Sequence, residues 1–408
     1  MKTGKEYWSL KIADTKELFK KRPAWMGGYD ADYPSAAFIR GLISDYKPVN
    51  MLEVGTAAGW AAYYMLEEAH KYSDVARLTS IDCADRVYYD REKETGAAFF
   101  ETDSQLAKFW DLRINILLAD YVQSCEKKFD FVFIDANHSH PWAALDLLCV
   151  LPYVTGDSVI VFHDVFLNRI AKGEMSSYLH PEGVVSGCEQ YFGPNRVYSV
   201  FSDRMVLSYD DIAPNCAAIL FGDLSLEKIF EALDIQWEQD IFSATKYDEF
   251  IRLFGKIKRC IKVFAGEEYV QKLDEILHRR LDETYEKVIE KTRSAADFVN
   301  KKIKNKKTVL YGASKFLEDA LNSGFIEVKD VAGIVDADPK KQGKFLGGLE
   351  IFLPDKLKEL EPEMIFSCVV TRPQMKFYIE KVLSECGIDP DVEINDDLFE
   401  FFVPDNRF

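Results

Sequence analysis

Residues 50–60 read NMLEVGTAAGW, and the rest of the chain is best understood outward from them. NMLEV is a short apolar run of strand length, and GTAAG punctuates it before the helical pattern WAAYYMLEEAHKY begins. Gly55 permits a tight exit from the strand, and Gly59 lets the helix start close to a bound ligand. The N–H groups of the turn then face whatever sits there, as at any strand-to-helix turn opening on a helix N-terminus. Glu53 is unusual at such a place. A carboxylate beside a helix N-terminus repels a pyrophosphate and welcomes a cationic, amino-bearing ligand.

On either side of this stretch, helical patterns alternate with short β-branched runs. RLTSID (77–82), INILLAD (114–120), FDFVFIDA (129–136) and DSVIVFHD (157–164) read as buried strands; residues 59–72 and 141–153 read as helices. Near-continuously apolar strands alternating with helices predict a doubly wound, mostly parallel α/β sheet covered on both faces. RVYSVF (196–201) and CAAILFG (216–222) are late strand candidates. The N-terminal spacing of Leu10, Ile12 and Leu18 suits an amphipathic helix. From 223 to 305 Leu273, Leu277, Leu281, Tyr285 and Val288 recur at three or four residues among Lys and Glu, which predicts a helical connector. A second, smaller α/β unit follows, with strands in KKTVLYGAS (306–314), VAGIVDADP (331–339), LEIF (349–352) and MIFSCVV (364–370). The expected domains are 1–222, 223–305 and 306–408.

Composition removes whole classes of function. The chain has 408 residues, with 51 Lys+Arg against 68 Asp+Glu and a net charge of −17. So acidic a surface disfavours the phosphate backbone of nucleic acids, whose affinity comes from clustered cations. No apolar run approaches the roughly 20 residues of a membrane span, and the N-terminus lacks a signal peptide's apolar stretch. The eight cysteines are dispersed without CxxC or Cys/His clusters, which points to a reducing, cytoplasmic setting. Self-association stays open.

The strand ends concentrate chemistry. Asp82, 23 residues after Gly59, ends the second strand, where an acid suits both ribose hydroxyls. Asp120 ends the predicted third strand, where a carboxylate can accept from an adenine amino group. Three strand-end carboxylates in register resemble the class I S-adenosylmethionine-dependent methyltransferases, and MLEVGTAAGW resembles their first motif in its E-x-G-x-x-x-G form. That resemblance implies that Glu53, Gly55 and Gly59 contact the methionyl half of the cofactor, with Asp82 on the ribose and Asp120 on the adenine. Thr56, Ala57 and Trp60 complete the expected contact set; Ala57 stands where a fuller motif has glycine.

At the next two strand ends, Asp135-Ala-Asn-His138 and His163-Asp164 converge on the same sheet edge. Methyl transfer to oxygen needs the acceptor hydroxyl deprotonated, and His is suited to that near neutral pH. This segment resembles small-molecule and sugar O-methyltransferases related to catechol and caffeoyl-CoA O-methyltransferases. In those enzymes an Asp at the place of Asp135 and an Asp-Asn pair after the fifth strand hold a divalent cation, and a lysine base takes the place of His138. Here Val165 follows Asp164, so one oxygen ligand of that pattern is missing. His163 is read as a ligand, a base or an orienting donor, and magnesium dependence stays open. Asp135 and Asp164 are expected to position the acceptor, directly or through the metal. Tyr33 and Phe38, in the segment 29–42 before the first strand, are candidates to line the acceptor pocket, with core packing the favoured reading for Phe38.

In the second unit Gly312 makes another strand-to-helix turn, followed by Asp336 and Lys341, but Ser314 replaces a fingerprint glycine. The unit resembles Rossmann-like modules attached to sugar-modifying methyltransferases, which implies a sugar, nucleotide-sugar or glycan-precursor acceptor. The expectation is therefore S-adenosylmethionine-dependent O-methylation with His138 as base. Its rivals are an NAD-dependent sugar-nucleotide oxidoreductase or epimerase working from the second turn, and a module that binds S-adenosylmethionine without turnover.

Overall fold

A computed structural model describes the chain except for residues 28–31, 176–187, 189–190, 209–214, 239–245, 371–374, 389–391, 399–401 and 403–408. Two compact units emerge, one of residues 1–238 with 250–281, the other of 239–249 with 282–408.

The first unit begins with α1 (Gly4–Phe19) and α2 (Tyr33–Tyr46). Thr3 caps α1 through a reciprocal bond with Glu6, and Asp32 caps α2 by accepting from Ser35 N. The buried face of α1 is Tyr7 and Leu18 rather than Leu10, which is 55 % exposed. The core alternation is β1 (Asn50–Val54), α3 (Trp60–Ala69), β2 (Arg77–Ile81), α4 (Ala97–Thr102), β3 (Trp110–Arg113), α5 (Leu118–Tyr121), β4 (Phe129–Ile134), α6 (Trp142–Val150) and β5 (Val154–His163). Beyond it lie α7 (Leu167–Ala171), α8 (Gly193–Phe201), β6 (Val206–Leu207), β7 (Cys216–Leu220) and α9 (Leu226–Leu233). Two long helices follow, α10 (Tyr247–Ala265) and α11 (Glu267–Ile303).

The seven strands run in the order β3-β2-β1-β4-β5-β7-β6. The first five are parallel, and β7 lies antiparallel to β5 with His163 opposite Cys216. This is the doubly wound sheet of the class I methyltransferase fold. Strand order reverses between β2-β1 and β4, so the carboxyl ends of β1 and β4 flank a crevice where ligands bind. Phe131, Phe133, Val159 and Val161 are fully buried, which explains the continuous apolar runs.

Two predicted strands are corrected. The third strand is Trp110–Arg113, not 114–120; Trp110 stacks on Phe99 at 4.2 Å and donates to Ser80 Oγ at 2.7 Å. Asp120 consequently lies in α5. Residues 196–201 are helical: Pro194 sits in the first turn of α8, and Val197 and Phe201, four apart, face inward.

The second unit has a six-stranded sheet, built from β8 (Thr308–Tyr311), β9 (Val331–Val335), β10 (Phe345–Leu346), β11 (Leu349–Phe352), β12 (Met364–Ser367) and β13 (Glu393–Asn395). Their order is β10-β11-β9-β8-β12-β13, parallel except for the β10–β11 pair. Helices α12 (Lys315–Asn322), α13 (Leu357–Leu360) and α14 (Met375–Cys386) connect the strands. Ser314 caps α12 by accepting from Leu317 N at 3.2 Å, which is the use of a serine at a position a dinucleotide turn gives to glycine. Among the described residues, no helix is long and apolar enough to cross a membrane.

Candidate functional site

The glycines of the first turn are required by packing. A Cβ on Gly55 (φ 90°) would lie 2.2 Å from Asp135 O, and one on Gly59 (φ 81°) 2.9 Å from Gly96 Cα. The turn is therefore pressed against the end of β4 on one side and the Gly96 loop on the other. Asp82, at the end of β2, cinches it: Thr56 N and Ala57 N donate to one carboxylate oxygen at 2.9 and 3.0 Å, and Ala84 N donates to the other at 2.9 Å.

These elements open into a cavity of about 1100 Å³ lined by Gly55, Thr56, Ala57 and Asp82 at one part and by Asp135, His138, His163 and Asp164 at another. Glu53 and Trp60, both fully buried, lie outside the lining, as does Gly59; Glu53 accepts from Thr56 Oγ1 at 3.3 Å and the Trp60 indole belongs to the core. Asp120 is also outside the lining and forms an ion pair with Lys256. Of the residues expected over the acceptor pocket, Phe38 is core and Tyr33 packs edge-on to Phe19; Asp32 lines the cavity instead. Tyr29, Asp30 and Ala31 of that segment lie outside the described residues.

The four ionisable groups at the ends of β4 and β5 do meet. His163 Nδ1 lies 2.8 Å from Asp135 Oδ1, and His138 Nε2 lies 3.0 Å from Asp164 Oδ2 and 3.8 Å from Asp135 Oδ1. Asp164 adopts φ 55°, a left-handed conformation that Asp tolerates better than most residues. Its other oxygen accepts from Asn215 Nδ2 at 2.5 Å, because the antiparallel register of β5 with β7 sets Asn215 beside it.

The electrostatics follow from two carboxylates enclosing two imidazoles. Burial works against charge on His163, but Asp135 and Asp164 outweigh it and hold the imidazole at about 10. The same contest, with Asp164 the stronger partner, raises His138 above its ordinary value. Burial opposes the Asp164 anion too, yet His163 and His138 keep it well below the usual carboxylate range. Each imidazole thus has its own nearest carboxylate, His163 on Asp135 and His138 on Asp164.

Asp135, His138 and Asp164 offer ligand atoms within 4.8 Å of one another. Two carboxylates suit a hard divalent cation, and Asn215 adds an amide whose buried Oδ1 has no partner among the described residues. The donor set fits such an ion.

The first unit thus combines the class I strand order, a cinched glycine turn and an ionisable cluster on the adjoining strand ends. Residues 52–165 match a family model described as a methyltransferase domain, and residues 256–369 match one described as a C-methyltransferase C-terminal domain. The chain is a methyltransferase of class I architecture. Among curated proteins, none matches this methyltransferase. Solved structures similar to it include an O-methyltransferase from Bacillus cereus in complex with SAH, at 16 % identity, covering 52 % of this chain and 90 % of that one with a TM-score of 0.35. Two others are TomG from Streptomyces achromogenes, an O-methyltransferase involved in tomaymycin synthesis in complex with SAM (16 %; 53 % and 89 %; 0.34), and SAH-bound Podospora anserina PaMTH1 (16 %; 51 % and 86 %; 0.35).

In the second unit the Gly312 turn repeats the device of the first. Asp336 accepts from Ala313 N at 2.8 Å and Asp338 N at 2.9 Å, and pairs with Lys341 at 2.9 Å. A Cβ on Gly312 would meet Val369 Cγ2 at 2.4 Å, so packing again explains the glycine.

Sequence reasoning missed Asn215, Lys256 and Asp146. Asn215 is brought in by sheet register alone, and Lys256 from the helical stretch after 223. Asp146 had a signal: it is the lone charge in the otherwise apolar helix WAALDLLCV.

Proposed function

We propose that this methyltransferase takes its methyl group from S-adenosylmethionine and delivers it to a hydroxyl oxygen of a sugar, nucleotide sugar or glycan precursor. The turn Gly55–Ala57 and Asp82 hold the cofactor, with a ribose hydroxyl taking the acceptor position that the three backbone N–H donors leave on the Asp82 carboxylate. Asp135, His138, His163 and Asp164 face the acceptor. The observation that carries the reading is the placement of His138 between two carboxylates in the same cavity as the glycine turn.

His138 takes the acceptor's proton as the oxygen attacks the sulfonium methyl. The neighbouring carboxylates raise its proton affinity, which strengthens it as a base and confines the free-base form to higher pH. His163, bonded to Asp135, fixes that carboxylate in place. A divalent cation held by Asp135 and Asp164 would add Lewis-acid polarisation of the hydroxyl. The sugar class rests on residues 256–369, most of them in the second unit, whose match to a C-methyltransferase C-terminal domain is compatible with a carbohydrate acceptor and also favours a second reading, transfer to carbon. Eight dispersed cysteines, none in a disulfide among the described residues, support a cytoplasmic setting.

The test is product analysis with nucleotide-sugar acceptors and methyl-labelled S-adenosylmethionine. A labelled O–CH₃ resonance supports the first reading, and a C–CH₃ resonance the second. Asp135→Asn is expected to lower turnover at least tenfold in either case; full activity in that variant contradicts the assigned cluster.

A further inference from the structure

Asp146 projects from α6 into the cavity already described, and it is the one acidic residue of that helix. Beside it the lining is Trp142, Leu145 and Cys149 of the same helix, Cys83 after β2, and Leu117 and Leu118 after β3. Among the described residues it forms neither an ion pair nor a hydrogen bond, and burial alone pushes its carboxyl up to about 7. A carboxyl kept uncompensated against apolar walls is unfavourable for folding, and such groups gather where a ligand completes them. Asp120, the residue that the family resemblance assigned to the adenine, is paired with Lys256 and stands outside the cavity.

The chemistry of this corner specifies its occupant. Apolar surfaces of α6, Cys83 and Leu117 suit a flat heteroaromatic ring, and an acceptor without a cation suits a neutral N–H donor at the edge of that ring. A nucleoside whose ribose lies at Asp82 extends its base past Cys83, the next residue, toward Leu117 and α6. We propose that Asp146 reads the cofactor's adenine by accepting a hydrogen bond from its exocyclic amine. The assignment rests on the S-adenosylmethionine reading above. It makes Asp146 a specificity-determining residue, supplied from the helix after β4.

The experiment is calorimetric titration of the full chain with S-adenosylhomocysteine and with S-inosylhomocysteine, in which a carbonyl replaces the amine. The wild-type chain is expected to prefer the adenosyl ligand by roughly tenfold or more, the range of one hydrogen bond to a charged group. Asp146→Ala lowers adenosyl affinity by about tenfold, leaves inosyl affinity unchanged and so collapses the preference. Asp146→Asn, of the same size, keeps an accepting oxygen and gains a donor; it retains adenosyl binding within a few fold and improves inosyl binding. Preserved wild-type discrimination in Asp146→Ala overturns the assignment. Should that variant fail to fold, unchanged inosyl affinity in Asp146→Asn overturns it equally. A wild-type chain that binds neither ligand removes the cofactor reading and this assignment with it, whereas binding of both without preference removes the assignment alone.

Discussion

His138 and His163 share two carboxylates and differ in how tightly they are held. His163 is 5 % exposed and bonded at 2.8 Å, so its proton stays on through neutral pH; His138 has the weaker hold and the more open face. For a base, a raised proton affinity moves the acidic limb of the rate profile upward. We expect kcat/KM to climb with pH through an inflection above the 6.5 of an ordinary histidine, measured in the absence of divalent cation. His138→Ala should reduce kcat by about 100-fold or more and abolish that limb, while S-adenosylhomocysteine affinity stays within about twofold. Asp82→Ala is the complementary variant. It loses both the cinch on the turn and the proposed ribose contact, so cofactor affinity should fall by roughly 10- to 100-fold with little change in kcat at saturation. Residues at strand ends, Asp82, Asp135, His138, His163 and Asp164, were legible in the sequence because a parallel sheet puts every strand end on one edge. Asn215 was not, since only antiparallel pairing of β5 with β7 brings it to Asp164.

At the scale of elements, the glycine turn is a packing joint between β1, β4 and the loop at Gly96. Its tolerance follows from the 2.2 Å approach of a Gly55 Cβ to Asp135 O together with φ of 90°. Gly55→Ala is expected to destabilise by about 2–4 kcal/mol and to lower Tm by several degrees, and because the displaced backbone is that of Asp135, activity should fall further than stability. Differential scanning calorimetry beside a turnover assay checks both parts. Strands whose apolar runs ended at a glycine or an ionisable pair, such as β1 at Gly55 and β5 at His163-Asp164, were readable from pattern. The third strand was not: INILLAD is apolar enough for strand or buried helix, and the anchor that fixes β3, Trp110 stacked on Phe99, is a tertiary contact. Likewise β-branched residues in 196–201 suggested a strand, while Gly193-Pro194 and the inward pair Val197 and Phe201 impose α8.

Over the whole molecule, the cluster and Asp146 make stability depend on pH in a definite direction. His163, raised to about 10, contributes stability that is complete below its unfolded value of 6.5 and is lost as pH rises through about 10. Asp164, depressed, contributes above its unfolded value of 3.8 and loses that contribution as pH falls further. Asp146, raised to about 7, favours folding below 3.8 and withdraws that support as pH climbs through 7. The metal-free protein should therefore melt lower at pH 9 than at pH 6, and Asp146→Asn should flatten the part of the decline between pH 4 and 7. Division of the chain into two α/β units with helices between was readable from the return of strand patterning at 306. The apportioning of the helical stretch was not, because contacts rather than composition assign 250–281 to the first unit.

The most direct test of the central claim is calorimetric titration of the purified full chain with S-adenosylhomocysteine. One site per chain with micromolar affinity, and no heat from NAD, is the predicted result. Silence with S-adenosylhomocysteine, or saturable binding of NAD in its place, would contradict the account and shift the chemistry to the second unit.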